Sequence, residues 1–366
     1  MLRIFTILFF SIKAGLVSAD TLQTLSGPVQ IEPMTRNLDE PWAIGVLPDK
    51  GFLVTERNGE LLYVLDGQTK RVKGVPRVSA KGQGGLLDVT IARDFLETRE
   101  IFLTFTKRQF RKSGNAIAVA KLSESGDRLT KVRIIFEAVP GGRTGKHFGS
   151  RVVEAQDGTL LVTIGDRGDR PAAQDTSNHM GSVIRVNRNG TVPDDNPFVG
   201  NEDVRPEIWS IGHRNPQGAG LDAQGRLWIS EHGAKGGDEV NLVQPGLNYG
   251  WPVISYGVHY SGEKIGEGTA KAGMEQPEHY WDPSMAPSGL MVYSGKLWPD
   301  WKGNIFVGSL KFDYIARLTG SPLQEVEQIK GPETIRVRDV VEAPDGSIWF
   351  ISVGEGAVYR MTPGGD

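Results

Sequence analysis

Between Glu207 and Trp251 the chain gathers Arg214-Asn215, His232-Gly233-Ala234, Asp238-Glu239 and Asn248-Tyr249 into turns rich in Gly, Asn, Asp and Pro. Short apolar runs, Ile208–Ile211 and Leu227–Ser230, precede the first two clusters and read as strands. Polar groups placed just past strand ends point to a site built on a rigid β scaffold. The planar donor fork of Arg214 suits a carboxylate or a developing oxyanion, while an ion pair beside an Asn-Pro turn explains the same residues equally well. The segment from Glu231 to Glu239, with Asn241 and Asn248-Tyr249 beyond, is rich in hard oxygen donors and Gly-permitted turns, which suits Ca²⁺. EF-hand spacing is missing there, and a solvated acidic turn has the same composition.

A second group precedes it. His147 stands in a Gly-flanked loop, RTGKHFGSRVV, and a strand from Thr159 to Ile164 then runs into Gly165-Asp166-Arg167. Imidazole's ordinary pKa of about 6.5 makes such a histidine a candidate general base. Asp166, at a strand end, would hold the ring in one tautomer. His179, His213, His259 and His279 lack an adjacent strand-end carboxylate of this kind, and no HxH or HxxxH pair suggests zinc. A third group lies late: Lys311 after the strand Ile305–Leu310, then Arg336 and Arg338 in TIRVRDV. Residues two apart on a strand share a face, so this pair is expected to present two cations together for an anionic ligand, or to pair across strands.

These loops need elements to carry them. A turn followed by a short apolar strand recurs six times, at 49–56, 99–106, 157–166, 224–233, 302–310 and 345–356. The copies are spaced for about four short strands each, the size of a propeller blade. The fold expected is all-β, a six-bladed β-propeller forming one domain over residues 20–366. A pair of β-sandwiches is the competing architecture, but no linker or composition shift divides the chain. One connection, Ser255 to Ser288, is too long for a plain turn. Its Tyr256, Tyr260, Tyr280 and Trp281 suggest a loop folded over a site.

With 47 Gly, 21 Pro and 39% hydrophobic residues, the 366-residue chain is turn-rich and able to bury a core without staples. A net charge of −3, with no long block of one sign, gives no indication of nucleic acid or an anionic membrane as partner. Residues 1–19 read as a signal peptide: Arg3, an apolar stretch from Ile4 to Ile12, and Val17-Ser18-Ala19 before Asp20. The run is short for a bilayer span, so a periplasmic or secreted protein without stable membrane insertion is expected. With no Cys, neither disulfides nor thiolate chemistry is available.

The motifs PWAIGVLPD, GQGGLLDV (82–89), HFGSR (147–151), IGDRG (164–168), GHRNPQG (212–218), EHGAKGGDE (231–239) and NYGWP (248–252) follow one another along nearly the whole mature chain. In that order and spacing the chain resembles the soluble pyrroloquinoline quinone (PQQ)-dependent sugar dehydrogenases, most closely the bacterial aldose sugar dehydrogenases. The resemblance implies oxidation of the anomeric hydroxyl of an aldose to a lactone, by hydride transfer to PQQ, with electrons passing to an external acceptor. It implies His147 as general base, oriented by Asp166, and Gln83, Arg214, Asn215, Tyr260, Lys311, Arg336 and Arg338 around PQQ. Ca²⁺ and Arg214 would polarise the PQQ C5 carbonyl. The carbonyls of Gly233 and Ala234 would hold that Ca²⁺, and Glu239 with the Tyr249 carbonyl a separate structural one. A monomer or a homodimer fits equally. Two departures from the better-known glucose dehydrogenases stand out. Arg167 replaces a glutamine and Lys146 an aspartate, both expected near substrate or cofactor, so sugar preference does not transfer. A Ca²⁺-dependent lactonase and a non-catalytic binding propeller are the alternatives, and the fold alone does not choose among them.

Overall fold

The computed structural model describes residues 20–365. The expected signal peptide therefore lies outside the described residues. Six antiparallel sheets follow one another along the chain, and their innermost strands neighbour each other in a closed ring. Those six inner strands are Pro41–Val46, Leu86–Ile91, Gly149–Glu154, Pro216–Leu221, Pro287–Val292 and Val337–Glu342. This is the six-bladed propeller, with one four-residue α-helix at Phe95–Thr98 and three short 3₁₀ turns among the described residues.

Each of the six recurring segments forms the second strand of a blade: Phe52–Glu56, Glu100–Gln109, Leu160–Ile164, Leu227–Glu231, Ile305–Ser309 and Ile348–Ser352. Four of them are buried at every residue, because neighbouring blades cover both faces. A strand buried on both faces has no polar alternation, which is why these segments read as continuous apolar runs. Outer strands differ: Gln68–Arg71 is exposed throughout, and Leu129–Glu137 mostly. The inner strands run so close together that Gly218, packed against the backbone of Ser288 and Leu290, leaves no room for a Cβ.

The ring is fastened by its two ends. Ala357–Pro363 pairs with Gly27–Thr35, so the last blade takes its outer strands from the start of the chain. Its centre is tied by charge. Arg151 bridges Asp88 at 3.0 Å and Asp339 at 2.8 Å, and donates to the Gln217 carbonyl at 2.7 Å. Asp339 also accepts from the Ile44 amide at 3.0 Å. One buried cluster thus joins strands from five blades.

Two expectations need correction. Arg336 lies before the strand Val337–Glu342, in a left-handed conformation with φ 54°, so strand alternation does not align it with Arg338. The stretch from Ser255 to Ser288 is more than a loop. It supplies the fourth strand of its blade, His279–Trp281, and pairs Val258 with Lys235 and Lys264. Tyr256 stacks on Tyr280 with ring centroids 4.0 Å apart, and Trp281 is buried, so the aromatics of the connection hold it in place.

Candidate active site

Turns from several blades converge on a cavity of about 730 Å³. It is lined by His147, Gln83, Arg214, Asn215, Gly233, Ala234, Tyr260, Lys311, Arg336 and Arg338, so ten of the expected residues meet in one place. Tyr260 stands at its rim, 73% exposed. Asp166 lies behind His147, fully buried. Glu239 and Tyr249 line a separate small cavity with Glu231, Arg214 and Gly233.

His147 is held from two directions. Its Nδ1 lies 2.6 Å from Asp166 Oδ1, and its backbone amide donates to Gln83 Oε1 at 2.7 Å. With a carboxylate on Nδ1, that nitrogen carries the proton and Nε2 keeps the lone pair. Asp166 is fixed in turn by the Trp251 indole N–H at 2.8 Å and the Gly168 amide at 2.7 Å. Burial works to raise its carboxyl, but the His147 hydrogen bond and charge, with Gly168 and Arg214, leave it lowered. Asp166 therefore stays ionised beside the imidazole.

The strand-end rule missed a second pair. Glu231, the last residue of Leu227–Glu231, sits 2.9 Å from His213 Nδ1, so His213 does have a strand-end carboxylate. It is nonetheless no base: its Nε2 is 2.9 Å from Ser210 Oγ, and the ring is fully buried against Tyr249. What separates the two histidines is a lone pair facing a cavity, which sequence distance does not encode.

Arg167 is also not where it was expected. Instead of facing the cavity it turns inward, donating to the carbonyls of Ser113 at 2.8 Å, Thr144 at 3.0 Å and Lys146 at 3.0 Å. Its guanidinium lies over the Phe148 ring, 3.4 Å from the centroid. Among the described residues no carboxylate pairs with it, and burial lowers its pKa to about 10. The residues on both sides of His147, itself left-handed at φ 51°, are thus clamped by one side chain.

The cavity holds more cation than it neutralises. Arg338 is lowered to about 9 by burial and by the charges of Arg151, Arg336 and Arg57, with Gln217 Oε1 as its side-chain acceptor at 2.7 Å. Arg336 donates to the Leu310 carbonyl at 3.1 Å and Lys311 to the Ser284 carbonyl at 3.2 Å. Arg214 donates to the His232 carbonyl at 3.0 Å, and its Nε is buried without a partner. His232 is a lining residue that no role was assigned to. Burial, then the charges of Arg214, Arg338 and His147, lower it to about 3, and its Nε2 is unpaired. Its place directly after a strand end was the available clue. Arg57, also on the wall, likewise follows a strand end directly, whereas Trp42 lies within the inner strand Pro41–Val46 and offered no such clue.

In the small cavity, burial and the neighbouring Glu231 push Glu239 up to about 8. Two buried carboxylates side by side repel unless a proton or a cation intervenes. Among the described residues no three His, Asp or Glu side chains converge as a metal cage, so a cation here would rely on backbone carbonyls as well.

Residues 38–360 match the family described as glucose/sorbosone dehydrogenase. Aldose sugar dehydrogenase YliI of Escherichia coli (strain K12) is 39% identical over 345 residues, covering 92% of this chain and 93% of that protein. The crystal structure of the soluble Escherichia coli aldose sugar dehydrogenase in its apo-form superposes with a TM-score of 0.88 at 39% identity, covering 92% and 100% of the two chains. The PQQ-bound aldose sugar dehydrogenase from Streptomyces coelicolor gives a TM-score of 0.76 at 25% identity, covering 91% and 98%. A match of this extent, on a propeller whose strand-end turns meet at one cavity, makes the chain a member of the glucose/sorbosone dehydrogenase family and an oxidoreductase.

Proposed function

We propose that the protein oxidises the anomeric hydroxyl of an aldose to a lactone, with PQQ and Ca²⁺ in the cavity and an external electron acceptor. The observation that carries this reading is a base–carboxylate pair opening onto a pocket of unneutralised cations. PQQ bears several carboxylates, and Arg214, Arg336, Arg338 and Lys311, with Gln83, Asn215 and Tyr260, are the residues that would hold it. Its fit is supported by the lowered pKa of Arg338 and the orphaned Nε of Arg214, both of which an anionic guest relieves. The carbonyls of Gly233 and Ala234 would hold the Ca²⁺ of the cofactor. Glu239 and the Tyr249 carbonyl would hold a second Ca²⁺, which the raised Glu239 supports.

When bound, PQQ with its Ca²⁺ supplies the electrophilic carbonyl that takes up the hydride from the anomeric carbon. The remaining work belongs to the chain. His147 Nε2 accepts the hydroxyl proton as the C–H bond weakens, and Asp166 stabilises the imidazolium so formed. Arg214, anchored through His232 and lying over Trp251, adds a fixed positive charge with no reorganisation during the reaction. Residues 1–19 as a signal peptide, and residues 20–366 as a single exported domain, complete the proposal. Among the described residues no helix is long and apolar enough to cross a membrane.

The test is reconstitution. Chain made without PQQ is mixed with PQQ and CaCl₂, and dye reduction is followed with glucose and other aldoses, omitting each component in turn. Activity is expected only with both. A folded protein that neither binds PQQ nor reduces dye would overturn the cofactor assignment, and lactone hydrolysis with Ca²⁺ alone would be assayed next.

A further inference from the structure

The electrons taken from the sugar must leave by the mouth of this cavity, and one side of that mouth is unusually charged. Three segments meet there. The Gln83 amide donates to the Gly145 carbonyl at 2.7 Å, joining 79–84 to 139–147. Ser113 and Gly142 exchange amide bonds at 3.0 and 2.9 Å, joining 139–147 to the hairpin 107–113. Arg167 links the same pieces through Ser113, Thr144 and Lys146.

Together these segments carry Lys81, Lys107, Arg108, Arg111, Lys112, Arg143 and Lys146, and no Asp or Glu, in a chain whose net charge is −3. Among the described residues only Lys107 of the seven has a carboxylate partner, Glu137. Where the cavity wall adjoins segment 79–84 the charge becomes mixed: Glu40 pairs with Arg57, whose guanidinium also donates to the Gly82 carbonyl, and Asp282 lies on the wall as well. At the hairpin tip Phe110 is 83% exposed and left-handed at φ 53°. Arg111 lies 5.4 Å from its ring centroid, and Arg108 donates to its carbonyl at 3.3 Å. An exposed aromatic between arginines, at the edge of a one-sign field, has the composition of a protein-recognition patch.

We propose that this face docks a small acidic one-electron carrier protein, the physiological acceptor left open above. The inference rests on the dehydrogenase reading. Loss of one C–H and one O–H bond at the anomeric carbon, as its C=O forms, releases two electrons and two protons. Two carrier molecules take one electron each in successive visits, and the protons pass to solvent. The patch reaches Lys146, the residue next to His147, so a partner seated on it lies against the mouth. A phospholipid surface would also meet the cations, but one exposed aromatic offers little to insert, whereas electron transfer requires closeness to the pocket.

The test compares the full chain with Arg108→Glu/Arg111→Glu/Lys112→Glu, whose residues lie outside the site. The probes are plastocyanin as an acidic blue-copper protein, horse cytochrome c as a basic carrier, and phosphatidylglycerol vesicles. Binding of plastocyanin by cofactor-free chain is expected at low salt, weakening as NaCl rises and on the order of tenfold weaker in the variant. In reconstituted enzyme, kcat/KM for plastocyanin should fall similarly, while cytochrome c reduction and KM for sugar do not fall. Arg108→Gln/Arg111→Gln should give an intermediate loss and guards against misfolding of the reversed variant. Plastocyanin binding that ignores salt and charge reversal, or tight binding to vesicles without binding to plastocyanin, would overturn the proposal. Intact plastocyanin binding without PQQ uptake would instead sink the cofactor reading.

Discussion

In the proposed mechanism His147 and Asp166 handle the proton, and Arg167 holds the loop that carries His147. His147→Ala should cut turnover at least about a hundredfold while PQQ still titrates the protein, measured by dye reduction and by cofactor absorbance. Normal turnover would remove His147 from the mechanism. Arg167→Lys keeps the charge and loses the fork that reaches three carbonyls. We expect kcat to fall ten- to a hundredfold through displacement of the His147 loop, with PQQ affinity kept. Unchanged kcat would mean that the loop holds itself. Placement beside strand ends singled out His147, Asp166 and Arg214 in the sequence, and the structure sets His147 and Arg214 on one cavity with Asp166 behind, while their roles belong to the proposed mechanism. Arg167 was misplaced because an arginine's sequence position says nothing about which way its long stem turns. The His213–Glu231 pair was missed although its separation of 18 residues matches the 19 between His147 and Asp166, because which strand end a loop histidine meets depends on how the blades pack and not on spacing.

At the scale of elements, most site groups stand in turns close to strand ends, while Arg338 and Glu239 sit near the start of strands and Tyr260 in the long connection. The doubly buried second strands were legible as six apolar runs, whereas exposed outer strands such as Gln68–Arg71 carry no apolar pattern to read. Arg336 and Arg338 reach one cavity although a left-handed residue, not strand alternation, aims them. The turn region holding Glu231, Glu239 and Tyr249 joins the second and third strands of the fourth blade to the connection that follows. Removing Ca²⁺ with EGTA should lower Tm by at least about 3 °C, and added CaCl₂ should restore it. Glu239→Gln, which removes one of the two repelling charges, should be less sensitive to EGTA. An identical Tm with and without chelator would argue against a structural cation.

The whole molecule is organised around its axis. Burial, opposed by Arg151 and reinforced by Asp339, pushes Asp88 up to about 6. An acid raised above its unfolded value of 3.8 gives stability that is present below that value and lost as pH rises through the folded one. The stability of wild type relative to Asp88→Asn should therefore decline from about pH 4 to about pH 6, by up to about 1.4 kcal/mol per unit, and level off above. Denaturant titrations giving a flat difference over that range would show that Arg151 neutralises both carboxylates.

The pairing of Ala357–Pro363 with Gly27–Thr35 also bears on the pocket. The other five blades are each built from consecutive strands, whereas the blade that carries Arg338 on its inner strand is complete only when the two distant segments meet. The wall bearing Arg336 and Arg338 therefore leans on a clasp far from the pocket, and whatever loosens that clasp loosens the grip on an anionic guest.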